Sequence, residues 1–233
     1  MTPRIFVIIP ALNEEASIGK VIADIPRELV SEILVVDNGS TDRTAENAAR
    51  AGSIVLREER RGYGYACMKG IDHALSKPGG ERPDILVFLD GDYSDHPEEM
   101  GTLVKPIIEG DCDMVIGSRA RGSRERGALL PQAQFGNALA TTLIKWLYGV
   151  KFTDLGPFRA VRFDKLIGLC MSEMTYGWTV EMQIKAAKKG LSCREVPVSY
   201  RKRIGVSKVT GTLQGTVKAG FMILLNIFKH FGN

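Results

Sequence analysis

The chain has 233 residues, which suits one large domain or one domain with a small appendage, and its composition is ordinary for a globular protein. A net charge of +4 is too small to indicate a nucleic-acid partner, and the four cysteines form no CxxC pair. A zinc site and a disulfide framework are therefore not indicated, and a reducing cytosol is expected. The first residues show no signal-peptide pattern.

The first half of the chain alternates short apolar strands with amphipathic helices. The predicted strands are Ile5–Ile9, Ile33–Val36, Ser53–Leu56, Ile85–Leu89 and Asp113–Gly117. The predicted helices are one capped by Ser17, one capped by Thr41 or Asp42 and closed by Gly52, one from about Gly64 to Leu75, and one beginning near Pro97. Buried strands separated by such helices predict an α/β fold with a mostly parallel sheet and helices on both faces.

After Arg119 this alternation breaks, and the polar, glycine-rich residues 121–127 predict a loop. The later predicted elements are helix Asn137–Tyr148, strand Phe158–Arg162, helix Thr179–Lys189, edge strand Val196–Tyr200 and a last helix from about Leu213. In that last helix, the apolar stretch from Ala219 to Phe231 is too short for the ~20 residues of a membrane span. It either lies on a membrane surface or packs on the core, and we predict domain boundaries at 1–212 and 213–233.

Acidic residues follow three of the predicted strands. Asp90 and Asp92 come directly after the Ile85 strand, Asp37 ends the second strand, and Glu14 follows the first. The carboxyl ends of parallel strands meet at one edge of a sheet, so we expect these side chains to line one crevice. Two carboxylates one residue apart suit a hard divalent cation shared with phosphates, whereas a simple Asp-Gly turn and a helix-start role for Glu14 are the alternatives.

Six segments in this order carry a family resemblance: Pro10–Glu15, Val36–Asp42, Asp90–Asp92, Gly117–Arg119, Asp154–Ala160 and Arg203–Lys208. The chain resembles family 2 glycosyltransferases of the GT-A fold, and among them the dolichyl- and polyprenyl-phosphate mannosyl- and glucosyltransferases. The resemblance implies a Rossmann-like, mostly parallel sheet over residues 1–212. It also implies an inverting transfer of a hexose from a nucleotide sugar, with Mg²⁺ or Mn²⁺ as cofactor.

The same resemblance implies which residues bind the nucleotide sugar. They are Pro10, Ala11, Leu12, Glu14, Asp37, Gly39, Asp90, Gly91, Asp92, Arg203 and Ser207. Asp37 would contact the uracil or guanine edge, and Asp90 the ribose or the sugar. In relatives, the glycine-rich stretch that corresponds to Gly62–Gly64 lies near the nucleotide, although here it completes no phosphate-loop motif.

Asp92 would be the main protein ligand of the metal. Some relatives carry a glutamine two residues further on, where this chain has Ser94, a weaker ligand, so the metal would rely more on water and the diphosphate. The basic segment resembles one that closes over the diphosphate, and its members are Arg201, Arg203, Ser207 and Lys208. Cations there would stabilise the leaving anion, and an exposed basic loop is the alternative.

The chemistry of the acceptor decides the remaining roles. A sugar hydroxyl needs a general base, for which Glu181 is the candidate; a helix-surface acid or a partner of a neighbouring arginine are the alternatives. A lipid phosphate needs no base but needs cations that position it, and Arg119 and Arg159 are the candidates. Arg159 could instead pair with Asp154.

One departure from the lipid-phosphate branch concerns the stretch Pro131–Asn137. Relatives often carry a further basic residue there, whereas this chain has none, and Arg124 or Arg126 would have to substitute from the preceding loop.

The sequence thus predicts transfer of glucose or mannose from a UDP- or GDP-sugar, UDP-glucose first, to polyprenyl phosphate at the cytosolic membrane face. The C-terminal helix with its flanking lysines would contact the membrane peripherally. The alternatives are a sugar-hydroxyl or small-molecule acceptor, a nucleotidyltransferase, and a non-catalytic nucleotide-sugar module. Pro10–Glu15 lacks the glycine-rich basic loop of nucleotidyltransferases, while Asp92, Arg203 and Lys208 speak against a non-catalytic module. The oligomeric state stays open.

Overall fold

A seven-stranded mixed sheet forms the centre of the computed structural model, which describes residues 2–205 and 213–231. The strands are β1 (Ile5–Ala11), β2 (Glu32–Asp37), β3 (Ile54–Arg57), β4 (Ile85–Phe88), β5 (Met114–Ser118), β6 (Arg159–Arg162) and β7 (Cys193–Pro197). Their spatial order is β3-β2-β1-β4-β6-β5-β7. The predicted α/β fold is confirmed.

The strand directions explain where a ligand can bind. β1 runs parallel to both β2 and β4, so the chain moves outward from β1 in one direction and then returns to its other side. Such a switch point opens a crevice at the carboxyl ends of the two central strands. β6 runs antiparallel to both β4 and β5, whereas β7 is parallel to β5.

Helices cover both faces of the sheet. They are α1 (Ile18–Asp24), α2 (Thr44–Arg50), α3 (Tyr63–Ser76), α4 (Met100–Ile108), α5 (Pro131–Tyr148), α6 (Phe163–Leu169), α7 (Trp178–Lys188) and α8 (Leu213–Lys229). Alternate strand residues point to opposite faces, so two hydrophobic clusters form. One cluster packs under α1, α2 and α4, and the other under α3, α5, α6, α7 and α8.

Several local predictions are corrected by the structure. The predicted strand Val196–Tyr200 is wrong in position, because β7 is Cys193–Pro197, although it does lie at the sheet edge and ends at its proline. Helix α6 was not predicted, since its seven residues are too few to show a clear period. Helix α5 begins at Pro131, a residue whose fixed φ suits the first helical position, and not at Asn137.

The predicted caps differ in detail. The Ser17 hydroxyl donates to the Glu14 carboxylate at 3.0 Å and caps no helical N–H. At α2 the residue before the helix is Arg43, yet Asp42 Oδ1 accepts the Thr44 N–H at 3.0 Å.

Candidate functional site

The carboxyl ends of β1, β2 and β4 meet at one edge of the sheet, as the sequence predicts. Ala11 is paired with Asp37 across the two strands, and the Asn38 N–H donates to the Ala11 carbonyl at 2.9 Å. A Cβ atom at Gly91 would lie 3.5 Å from the Pro10 carbonyl, so the loop after β4 runs directly beside the end of β1. The predicted donor-site residues on these strands are therefore neighbours.

Side-chain hydrogen bonds join the loops that follow β1 and β2. The Glu14 N–H donates to Thr44 Oγ1 at 2.7 Å, and Asn13 Oδ1 accepts the Thr41 N–H at 2.8 Å. Asn13 has a φ of 53°, a left-handed conformation that asparagine tolerates better than most residues. Asp37 is buried and accepts the Ser40 N–H at 2.9 Å through Oδ1. These contacts fix the two loops as one rigid edge of the crevice.

Asn38 is a structural member of the site that sequence reasoning missed. Its Nδ2 donates to the carbonyls of Glu58 and Arg60 at 3.1 and 2.7 Å, and its Oδ1 accepts the Gly62 N–H at 2.8 Å. The amide thus holds the glycine-rich start of α3 against the end of β2. Its place beside Asp37 in the second motif is the signal that could have identified it.

Gly62 and Gly64 are required at the start of α3. A Cβ atom at Gly62 or Gly64 would lie 2.3 or 2.2 Å from a backbone oxygen of the segment Glu173–Met174. The glycines therefore allow two backbones to touch at the rim of the crevice. This packing brings Tyr63, between them, to the buried side of the crevice.

Asp92 lies at the centre of the site and is almost fully buried. Its Oδ1 accepts hydrogen bonds from the Ser94 N–H and hydroxyl at 2.9 and 2.6 Å, and its Oδ2 lies 3.0 Å from the Arg203 guanidinium. Ser94 therefore orients the Asp92 carboxylate. Arg203 of the basic segment therefore contacts the Asp92 carboxylate, whereas Ser207 and Lys208 lie outside the described residues.

The segment that carries Arg203 is anchored along the loop after β4. The Arg201 N–H donates to the Ser94 carbonyl at 3.0 Å, and the Ile204 N–H donates to the Asp92 carbonyl at 2.9 Å. The Arg201 guanidinium stacks 3.3 Å from the centre of the Tyr93 ring. Arg201 thus packs as a structural clamp, while Arg203 faces the acidic centre.

Unpaired polar atoms collect beneath Asp92. Within the described part of the chain, Asp90 Oδ1, Asp95 Oδ1 and Tyr63 Oη are buried without a hydrogen-bond partner. Burial raises the pKa of Asp90 to about 7 and that of Asp95 to about 8, and in each case a neighbouring carboxylate adds to the rise. Buried polar groups are normally paired, so these carboxyl oxygens are available to a ligand or a cation.

The residues fit a divalent cation that is held mainly by its substrate. Among the described residues, no group of three or more His, Cys, Asp or Glu side chains is arranged to hold a metal. Asp92 offers a carboxylate and Ser94 a hydroxyl, with Asp90 beside them. Mg²⁺ commonly binds proteins through one or two carboxylates and takes its other ligands from water and phosphate oxygens.

Arg119, from the end of β5, is held near this centre by a bidentate ion pair. Its Nε and Nη2 donate to the two oxygens of the buried Asp154 at 2.8 and 2.7 Å. The guanidinium also lies 5.1 Å from the centre of the Tyr200 ring. The alternative that Arg159 pairs with Asp154 is wrong, because Arg119 occupies that carboxylate.

Comparison with known proteins identifies the family. A family model described as glycosyl transferase family 2 matches residues 6–169. The chain belongs to this family. It is therefore an enzyme, a glycosyltransferase, and the predicted family resemblance is confirmed.

Two relatives have names that describe transfer to a polyprenyl phosphate. A dolichyl-phosphate hexose transferase of Haloferax volcanii is 34% identical over 87% of this chain and 85% of its own. An undecaprenyl-phosphate mannosyltransferase of Micrococcus luteus is 29% identical over 91% of this chain and 90% of its own.

A solved structure extends the fold comparison. Glucosyl-3-phosphoglycerate synthase from Mycobacterium tuberculosis, in complex with Mn²⁺, UDP and glucosyl-3-phosphoglycerate, matches with a TM-score of 0.76. It is 24% identical, and the match covers 99% of this chain and 80% of that one. The glycosyltransferase therefore has the GT-A fold.

Arg159 of the glycosyltransferase is buried. Its guanidinium donates to the carbonyls of Gly156, Leu155 and Thr179, with the Thr179 bond at 3.0 Å. Burial lowers the pKa of Arg159 to about 10. The side chain ties the turn before β6 to the start of α7, so the structure does not bring it to the surface that a phosphate or sugar would touch.

Glu181, the candidate general base, is fully buried on α7. Its carboxylate accepts the N–H groups of Ser172 and Glu173 at 3.0 and 2.8 Å, and it forms an ion pair with Lys185 at 2.8 Å. Burial alone would raise its pKa, but the hydrogen bonds from Lys185 and Ser172 bring the pKa below its ordinary value. Both structural alternatives, a surface acid and a partner of arginine, are wrong.

Proposed function

We propose that this glycosyltransferase moves a hexose from a nucleotide sugar to polyprenyl phosphate at the cytosolic face of a membrane. The observation that carries the proposal is the state of Glu181, whose carboxylate is occupied by backbone N–H groups and by Lys185. A carboxylate with its lone pairs occupied and a lowered pKa is a poor proton acceptor. A phosphate acceptor fits such a site, because it is already an anion and needs no base.

The donor is held by the crevice at the ends of β1, β2 and β4. We assign Asp37 to the base and Asp90 to the ribose or sugar, with backbone and side-chain contacts from Pro10, Ala11, Leu12, Glu14, Gly39 and Gly91. UDP-glucose is the first candidate donor, ahead of GDP-mannose. The fold relative crystallised with UDP and Mn²⁺ supports a uridine nucleotide.

Two positive charges are available for the diphosphate. Asp92 and Ser94 would hold Mg²⁺ or Mn²⁺, which when bound neutralises the diphosphate and makes it a better leaving group. Arg203, 3.0 Å from Asp92, is close enough to contact the same diphosphate. Since Asp92 is buried with Ser94 fixing one oxygen, its carboxylate is oriented before any ligand arrives.

The reaction is a single displacement at the anomeric carbon. A phosphate oxygen of the acceptor forms the new C1–O bond while the bond from C1 to the diphosphate oxygen breaks on the opposite face. The electron pair leaves with the nucleoside diphosphate, so no proton has to be removed. We assign Arg119 to the acceptor phosphate, and Arg124 and Arg126 follow it in the loop that leads to α5.

The test measures transfer with UDP-glucose and GDP-mannose, each with Mg²⁺, Mn²⁺ or EDTA, and with or without polyprenyl phosphate in detergent. We expect labelled sugar in the lipid product for one donor, with a metal and only when the lipid is present. Release of nucleoside diphosphate that depends on a soluble sugar or phosphorylated small molecule, and not on the lipid, would overturn the proposed acceptor.

A further inference from the structure

Helices α5 and α8 are alike in their charged residues. α5 has 18 residues and α8 has 17, and neither contains an aspartate or a glutamate, although the whole chain has 27 acidic residues. Their charged residues are all lysines: Lys145 in α5, and Lys218 and Lys229 in α8. These two helices therefore carry positive charge with no acid to balance it.

Each of these helices also presents an apolar stripe on its outer side. On α5, Phe135 is 72% exposed and Trp146 is 77% exposed, with Leu139 between them at helical spacing. On α8, Phe221 is 63% exposed and Phe228 is 55% exposed. Isolated exposed apolar residues are ordinary, but aligned aromatic residues on neighbouring helices form a patch that indicates an interaction surface.

The two stripes lie side by side. Ala140 and Ile144 of α5 and Ile227 of α8 are buried in the same hydrophobic cluster, and the two helices pack against each other and against α7. Tyr148 of α5 donates a hydrogen bond to the Ile227 carbonyl of α8. Because both inner faces enter one cluster, both outer stripes point away from it. We call this surface the α5–α8 face; its exposed apolar members are Phe135, Leu139, Trp146, Phe221, Leu225, Phe228 and Phe231.

We propose that the α5–α8 face docks on the surface of an anionic lipid bilayer, with its aromatic side chains in the headgroup region. Amphipathic helices with lysines beside an aromatic, apolar face bind such interfaces, and each lysine adds attraction to anionic lipid. Among the described residues, no helix is long and apolar enough to cross the membrane. The proposal extends to α5 the membrane contact that the sequence predicts for the C-terminal helix. Its biological purpose rests on the proposed lipid-phosphate acceptor.

A second copy of the chain suits this face less well. In a symmetric dimer the same patch meets itself, so the exposed Lys145 and Lys229 of one copy would approach those of the other. Neither helix offers a carboxylate that could pair with them. A bilayer that contains anionic lipids supplies the missing negative charge.

The position of α5 connects the face to the catalytic site. Near the start of α5, Asn137 accepts the Leu155 N–H at 2.9 Å and donates to the Thr153 carbonyl at 2.9 Å. Those two residues flank Asp154, which holds Arg119. Docking through α5 would therefore bring the headgroup region close to the arginine that we assign to the acceptor phosphate.

Tryptophan fluorescence offers a direct test. Of the two tryptophans, Trp178 is only 1% exposed and Trp146 is 77% exposed, so a change of emission on adding vesicles reports Trp146. The probes are vesicles of phosphatidylcholine alone and of phosphatidylcholine with phosphatidylglycerol, without nucleotide sugar or polyprenyl phosphate. We expect a blue shift and co-sedimentation with the anionic vesicles, both weakened by salt.

Paired variants localise the contact. Phe135→Gln with Phe228→Gln should weaken the vesicle partition coefficient about tenfold or more, because two aromatic rings no longer leave water. Ile108→Gln, an exposed apolar residue on α4, should leave vesicle binding unchanged. These side chains are exposed, so the fold should tolerate their replacement.

The outcomes separate this inference from the proposed function. Absence of vesicle binding would overturn the proposal that the α5–α8 face docks on a bilayer, even if lipid-phosphate transfer were measured in detergent. A dimer in sedimentation equilibrium that the Phe135 and Phe228 variants dissociate would overturn it in favour of a second copy. Vesicle binding without transfer to polyprenyl phosphate would support docking of the α5–α8 face on the bilayer and would contradict the proposal that polyprenyl phosphate is the acceptor.

Discussion

Two acidic clusters of this glycosyltransferase differ in their hydrogen bonding. In the first, at the end of β4, Asp90 and Asp95 each have a buried oxygen without a partner, and their pKa values are raised. In the second, between α6 and α8, Glu173 and Glu181 are surrounded by donors, and their pKa values are lowered. The acids of the first cluster keep unpaired oxygens, whereas the acids of the second have their partners within the protein.

This contrast separates a functional acid from a structural one more clearly than burial does. Glu181 links α7 to Ser172 and Glu173, and Glu173 accepts a hydrogen bond from Asn226 of α8 at 3.0 Å. The second cluster therefore anchors the C-terminal helix to the body of the enzyme. Asp92 has one oxygen oriented by Ser94 and the other facing a half-buried arginine, which a diphosphate and its cation can share.

Replacing Asp92 should have the largest effect on turnover. Asp92→Asn removes the charge that holds the cation and faces Arg203, so we expect kcat/KM to fall at least about a thousandfold with little change in Tm. Asp164→Asn, an exposed acid at the start of α6, is the matched control. Turnover within tenfold of the unsubstituted enzyme would contradict the assignment of Asp92.

Arg203→Gln should have the next largest effect. Loss of the cation that faces the departing diphosphate should lower kcat about a hundredfold, a typical cost for one electrostatic contact in a transition state. Arg50→Gln, at an exposed ion pair on α2, should leave kcat unchanged. If Arg203→Gln raises KM alone, the residue binds the ground state and does not assist departure of the diphosphate.

Tyr63→Phe should have a smaller effect. Burial and the Asp90 charge raise the pKa of Tyr63, which identifies a neutral hydroxyl close to that carboxylate. Its removal should lower kcat/KM about tenfold with little change in stability, because Tyr63→Phe keeps the buried ring and removes only the hydroxyl. Tyr65→Phe on the same helix is the control. A loss of stability without a loss of turnover would show that Tyr63 supports the fold and has no role in the reaction.

Glu181→Gln should change turnover least and stability most. We expect a loss of about 2–4 kcal/mol in the free energy of unfolding at pH 7, because a buried ion pair with Lys185 is broken, while kcat of the folded enzyme stays within a few-fold. A large loss of kcat in correctly folded protein would instead support Glu181 as the general base.

The same variant gives a pH test. The pKa of Glu181 is lowered from 4.5 on folding, so its stabilising effect is complete above that pH and is lost as the pH falls through the folded-state pKa. Urea unfolding at pH 7 and at pH 4 should therefore show a smaller acid-induced loss of stability in Glu181→Gln than in the unsubstituted enzyme.

The pattern of strands and helices along the chain was enough to predict the sheet and the crevice at its edge. Continuous apolar strands separated by amphipathic helices require a buried, mostly parallel sheet, and parallel strands bring their carboxyl ends together. Asp37, Asp90 and Asp92 were therefore placed correctly from their positions at strand ends. The family motifs added the approach of Arg203, which lies far along the chain from Asp92.

Which charged groups find partners inside the fold depends on contacts between distant segments of the chain. Arg119 and Arg159 are both candidates in sequence, but Arg119 reaches Asp154 across 35 positions while Arg159 is buried against carbonyls, one of them 20 positions away. The same holds for Glu181, whose partners come from the segment after α6. The local hydrophobic pattern predicts the face of a helix or strand on which a side chain lies. Its hydrogen-bond partners come from distant segments, whose positions depend on how the helices pack on the sheet.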